Sequence, residues 1–503
     1  MLRGYSWVWV TAVILTAFAT NALAQDSTKG ATKKAEVPAT KAASAPATKA
    51  AAPAAADDEA DPTSADNGVK QDASQIFKDP RVEEILENKF PELPYPPARS
   101  LTEADRTSLK NMAAGLAAPD RALLIRAVDI AAADITNKTN IRYVIDPPAT
   151  AKATPNAAPF RAIEKASQSL IELLQIAKEK KNEEFLKVYV PILYTKLPGL
   201  LNGHLFARLQ ASIILAMSAT PASLELWTKE INNPKQVVWV KLWAARGLST
   251  ATSNGKGGAL DIVKATAATN ALVNFFKKEQ DAPWPVKIRV LEALGNIHLA
   301  SITGPTGKPE APAAIMALLS DKEERFEVRA WAAWSLGMIT IPNSQGGYNF
   351  GLEGYHIGRL AAELGEKIGS EADANESNFT KRSDYARHLT GLLLYQVIPS
   401  LSGESDVLNS GLLNSRHPGI ARVQPFLKGL DDQLKSLSRD CVDMLKAGGN
   451  DVKKARGKVG QRVAELNAFL DKNRPTETMI YPGGPQFPIT SDSKVAGDKP
   501  AGK

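Results

Sequence analysis

At 503 residues with 44% apolar side chains, the chain can hold several ordinary domains or one long repeat array, and its composition excludes wholesale disorder. Its 61 basic residues nearly balance 54 acidic ones, so the net charge of +7 is spread thinly and argues against a concentrated patch for nucleic acid or another polyanion. The one cysteine, Cys441, excludes intrachain disulfides, cysteine-based zinc sites and iron–sulfur clusters held by the chain's own thiolates.

The amino terminus reads as an export signal over residues 1–24. Arg3 supplies the positive start, Trp7 to Ala19 is an apolar run, and Ala22-Leu23-Ala24 ends in a small-residue cleavage pattern before Gln25. Cleavage removes Arg3 and leaves +6; an uncleaved membrane anchor is the competing reading. No later segment approaches the ~20 apolar residues of a membrane span. The expected destination is the periplasm or cell envelope. Residues 25–75 follow as a linker expected to be disordered: Ala31 to Ala56 is almost wholly Ala, Lys, Thr, Pro and Ser, with too little to bury to offset its ordering entropy. An acidic cluster from Asp57 to Asp72 closes it.

Residues 76–400 are expected to be helix after helix, beginning with a short one over 81–90. An internal repeat runs through them. ARLQASIILA (207–216), VKLWAARGLS (240–249), VKIRVLEALG (286–295) and VRAWAAWSLG (328–337) align without gaps, starting 33, 46 and 42 residues apart. ARHLTGLLLY (386–395) is a divergent fifth copy and IRAVDIAAAD (125–134) a degenerate first. Each copy follows a partner helix, and between the two stands Asn or Asp with a basic residue six to eight positions on: Asn202 with Arg208, Asn233 with Lys241, Asp281 with Lys287, Asp321 with Arg329.

ALLSDKEERFEVRAWAAWSLG (317–337) resembles the hallmark LLxD…VRxxAAxALG of the HEAT repeat family, in its phycobilisome-lyase-like variety, and the other copies resemble it loosely. The resemblance spans about residues 185–400. It implies an all-α fold, a right-handed α–α superhelix or solenoid, in which Arg208, Lys241, Lys287 and Arg329 form an internal structural ladder with acids such as Asp281 and Asp321. It implies little about function, because the fold hosts many.

An insertion over 341–383 interrupts the array and opens on a Gly/aromatic stretch, GGYNFGLEGYHIG. A loop over 401–419 precedes a helical hairpin over 420–474 that is expected to cap the array; within it, Leu434, Leu437, Cys441 and Met444 have the spacing of a buried helix face. Residues 475–503 are expected to form a disordered tail.

No nucleotide, hydrolase or metal motif stands in the sequence, and the five histidines have no HxxxH spacing, so neither cofactor nor metal is expected. The long connections after the second helix of each repeat (249–258, 301–311, 341–356 and 401–419) should gather along one edge, and long loops often carry recognition. Lys308, Tyr348, Phe350, Tyr355, His356, Arg416 and His417 are the candidate binding residues there. Trp334 is added because it shares a repeat column with Arg246 and Glu292 and is expected to be exposed. The expected function is a non-enzymatic binding or scaffold protein that meets a protein or an envelope polymer. The alternative is an enzyme or enzyme subunit with its site at 346–358.

Overall fold

The computed structural model describes Arg81 and residues 100–145, 161–253, 260–300, 302–303, 308–371, 379–405, 407, 409–447 and 450–489. The expected signal segment, the linker, nearly all of the helix expected at 81–90, part of the 249–258 connection and the tail beyond residue 489 lie outside these. The described residues are all-α but for a two-residue antiparallel ladder, Ile302–Thr303 with Lys308–Pro309.

In chain order the helices are α1 (Glu103–Ala113), α2 (Arg121–Thr136), α3 (Lys138–Ile145), α4 (Ala162–Glu179), α5 (Glu183–Lys196), α6 (Leu205–Met217), α7 (Leu224–Asn232), α8 (Val238–Ser253), α9 (Ile262–Lys278) and α10 (Trp284–Ile297). They continue with α11 (Glu310–Ser320), α12 (Phe326–Met338), α13 (Phe350–Glu371), α14 (Phe379–Leu392), α15 (Ile398–Ser402), α16 (Ile420–Lys446) and α17 (Asn450–Lys472). Side-chain caps start several of them: Asp120 accepts from the amides of Ala122 and Leu123 at 2.9 and 3.1 Å, and Asp261 does the same for α9 at 3.0 and 3.2 Å. Thr102 and Asp105 close a reciprocal capping box on α1.

The chain divides into two units. One comprises Met1–Lys70 and Lys138–Ala162, of which α3 is the described helix. The other comprises Gln71–Asn137 and Ile163–Lys503 and holds the repeated segments. There, α6, α8, α10 and α12 pack side by side in one row, and α7, α9 and α11 form a second row, each against the helix that follows it. This order follows from the repeated decapeptide. Its apolar positions, such as Val240, Ala244 and Leu248 on α8, recur at helical spacing around most of the cylinder, so each helix of the first row is buried between two like neighbours and its partner. A π-helical turn at Leu393–Val397 joins α14 to α15, and this continuous segment packs on α12 as the next member of the row.

The basic residue at the second position of each copy is tied to the hairpin that follows. Lys241 Nζ meets Glu279 Oε1 at 2.6 Å, Lys287 Nζ meets Glu324 Oε2 at 2.5 Å, and Arg329 meets Glu363 Oε2 at 2.6 Å. Arg208 donates to the amide oxygen of Gln236 at 3.2 Å. Glu279 takes a second cation, Arg81, at 2.8 and 3.0 Å. The acidic partners are therefore not the expected ones. Asp281 is exposed, and Asp321 is exposed and accepts the Glu323 amide at 3.0 Å, closing the turn after α11. Lys241, Lys287 and Arg329 leave the start of a second helix and reach across to the next hairpin, whereas Arg208 also holds its own connection, donating to the carbonyls of Gly203 and Asn202 at 2.6 and 3.3 Å.

The insertion also differs from its expectation. Its Gly/aromatic stretch is not a loop beyond Asn349; it is the first two turns of α13, a 22-residue helix. The glycines are a packing surface. A Cβ at Gly354 would fall 2.4 Å from Leu427, at Gly358 2.6 Å from Leu470, and at Gly365 2.7 Å from Val463, so α16 and α17 approach α13 through these positions. Small residues four and seven apart lie on one helical face, and here that face seats the C-terminal hairpin. Cys441 is buried in this unit, where burial pushes its thiol up to about 12. The first part of the expected tail is folded as well. Residues 478–487 turn back on themselves, with the Phe487 amide on the Thr478 carbonyl at 2.8 Å, and Ile480 accepts from the Asn349 amide at 2.8 Å.

Candidate functional site

Three connections that follow helices of the first row meet at one edge. After α10, His298 adopts a left-handed conformation, and its carbonyl accepts the Thr340 amide at 3.0 Å, which links the 298–309 connection to the one after α12. The amide of Gly411 then reaches the Gly337 carbonyl at 2.7 Å, which ties the 403–419 connection to the end of α12. Gly403 and Gly411 have φ of 79° and 83°, and a Cβ on either would strike the backbone of the other strand of this loop, so the tight fold requires glycine at both. Ser410 and Asn414 complete it. The Ser410 hydroxyl accepts from the Glu404 amide at 2.8 Å, and Asn414 donates to the carbonyls of Ser402 and Ser410 at 2.9 and 2.7 Å.

His417 fastens the third contact. Its Nδ1 accepts from the Gly419 amide and its Nε2 donates to the Gln345 carbonyl, both at 3.0 Å, so the two partners fix the orientation of the ring. Between the loops lies a cleft of about 250 Å³. Ile339, Ile341, Phe350 and Leu412 give it an apolar floor. Thr340, Asn343, Asn409 and Arg416 are exposed at its rim, and among the described residues none of these four side chains has a hydrogen-bond or ionic partner. Arg416 is the one charged side chain among the described lining residues.

No family model, curated protein or solved structure matches the chain. The site must therefore be read from its own residues.

Of the residues chosen from sequence, Phe350, Arg416 and His417 meet at this cleft, Arg416 exposed and the other two buried. Lys308 is exposed in the short ladder. Tyr348, Tyr355 and His356 are not on an accessible loop. They are 6%, 1% and 7% exposed: Tyr355 and His356 face inward on α13, and Tyr348, just before it, donates its hydroxyl to the buried Glu353. The alternative enzyme site at 346–358 therefore presents little surface to a substrate. Trp334 is buried too: its ring rests on Gly295 and its indole N–H donates to Glu404 at 2.8 Å, while Trp331, edge-on to it at 5.2 Å, is the more exposed of the two. Asn343 and Asn409 escaped the sequence reading; an asparagine in a polar loop is too common to stand out. Among the described residues no three His, Cys, Asp or Glu are grouped to hold a metal ion, and no helix is long and apolar enough to cross a membrane.

The polar groups under α13 shape pH dependence. Glu353 is 1% exposed and receives the Tyr348 hydroxyl; burial pushes its carboxyl up to about 8, with the Tyr348 hydrogen bond working against that. The folded protein thus keeps a proton on Glu353 that the unfolded chain releases above its ordinary value of 4.5, and stability falls as pH rises from there toward 8. Glu353→Gln should remove that slope, so the variant gains on wild type between about pH 5 and pH 8 by a few kcal/mol at most in denaturant titrations. Parallel curves would refute a buried proton there. His356 works in the opposite direction: burial first, then Arg329 and Arg359, push it down to about 4, so it costs stability as pH falls from 6.5 toward 4.

Proposed function

We propose that the protein is an exported binding or scaffold protein, built as a right-handed HEAT-like superhelix, that recognises a protein or an envelope polymer along its loop edge. The observation that carries this reading is the joining of three successive connections into one braced edge. Backbone hydrogen bonds at Thr340 and Gly411, and the His417 bridge, hold them together around a cleft whose rim side chains lack partners among the described residues. A rigid edge lowers the ordering cost of recognition. The repeated decapeptide and the cation that reaches from each hairpin to the next support the HEAT-like reading; the apolar signal over 1–24 supports export.

The test is retention from envelope extracts by the full chain and by an Asn343→Arg/Arg416→Glu double variant of matched melting temperature. Wild type should retain components that the variant loses. Identical retention by both, or retention no better than an unrelated protein, rejects the edge as the recognition surface. Recovery of the protein with residues 1–24 intact in the cytoplasm rejects export.

A further inference from the structure

Resting on the reading of the edge as a recognition surface, we infer that the cleft between the 339–343 and 409–417 loops binds the free carboxylate terminus of a peptide ending in small aliphatic residues. The charge argument comes first. Arg416 brings the one permanent charge among the described lining residues, both ring nitrogens of His417 are engaged by backbone partners, and no described aspartate or glutamate lines the cleft. The guanidinium is exposed, has no hydrogen-bond or ionic partner among the described residues, and presents a planar fork that matches a carboxylate's two oxygens.

The surroundings narrow the ligand further. Asn343 and Asn409 stand at the rim with side-chain amides that can donate and accept, as a peptide bond next to the terminal carboxylate demands. The floor of Ile339, Leu412 and Phe350 favours methyl groups over the hydroxyls of a sugar acid, whose polar groups would lose water there without replacement. A space of about 250 Å³ lies below the range typical of drug-sized pockets, which suits one or two small residues and excludes a long side chain. The loops are already braced in place, so little ordering opposes binding.

The experiment is calorimetric titration of the full chain with acetyl-Lys-Ala-Ala as the free acid and as its carboxamide, with glucuronic acid as a third ligand. The free acid should bind at least roughly tenfold more tightly than the amide, Arg416→Gln should erase that difference, and added salt should weaken binding. Equal affinity for acid and amide overturns the proposal, as does no binding at about 10 mM peptide. Glucuronic acid binding as well as the peptide overturns the choice of a peptide. Among the described residues the exposed Arg416 side chain makes no hydrogen bond or ion pair, so its variant should keep the wild-type melting temperature. If the peptide fails while the Asn343→Arg/Arg416→Glu variant still loses its envelope components, the carboxylate falls and the recognition edge stands; if both fail, both readings fall.

Discussion

Gly337→Ala should unfold the protein at markedly lower denaturant, with a loss of about 3 kcal/mol or more. A Cβ there would lie 2.3 Å from the carbonyl oxygen of Ser400, 2.5 Å from its Cα and 2.8 Å from its carbonyl carbon. All three atoms belong to the backbone of α15, so no side chain can rotate away, and α12 must separate from the next member of its row. The same residue's carbonyl receives the Gly411 amide, so the displacement reaches the cleft as well. Gly346→Ala is the control: nothing lies within 4 Å of its Cβ position, and the change should stay within about 0.5 kcal/mol. A Gly337→Ala protein as stable as the control would show that α12 and α15 do not touch as described.

Glu324→Ala is expected to cost about 3 kcal/mol in the same measurement. Lys287 and Glu324 are 11% and 9% exposed at 2.5 Å, so removing the acid strands an ammonium group among apolar neighbours. The double change Lys287→Met/Glu324→Leu should recover most of the loss, because apolar side chains of similar volume replace a buried pair at little or no penalty. A double variant no better than Glu324→Ala would mean that lost packing, and not the unpaired charge, is the cause.

The helices of the first row could be read from the sequence because their burial is written into ten successive positions and repeated. The cations at Lys241, Lys287 and Arg329 could be found for the same reason. Their acids could not. Glu279, Glu324 and Glu363 stand 38, 37 and 34 residues after their cations, in a hairpin tip or a helix whose length varies from one repeat to the next, so no fixed spacing betrays them. Local reading preferred the nearer aspartates. At the Gly/aromatic stretch, local reading took glycine for a turn signal, whereas Gly354, Gly358 and Gly365 are small because α16 and α17 lean on them. That reason lies about 70 to 110 residues further along the chain. Trp334 failed for a related cause: the repeat column says which way a side chain points, and the loop carrying Glu404 decides whether anything covers it.

The forward reach of the cations gives the row unlike ends. The hairpins α7–α8, α9–α10 and α11–α12 each offer a positive plug toward the carboxyl side and a socket toward the amino side, as in a tongue-and-groove board. Such a series extends only in one sense and has no internal signal to stop. α13 supplies the last socket, Glu363, for Arg329, and its glycine face is taken up by α16 and α17. Arg387, the cation at the same position of the next row member, pairs instead with Asp384 three residues before it on its own helix, so the series of joints ends at Glu363.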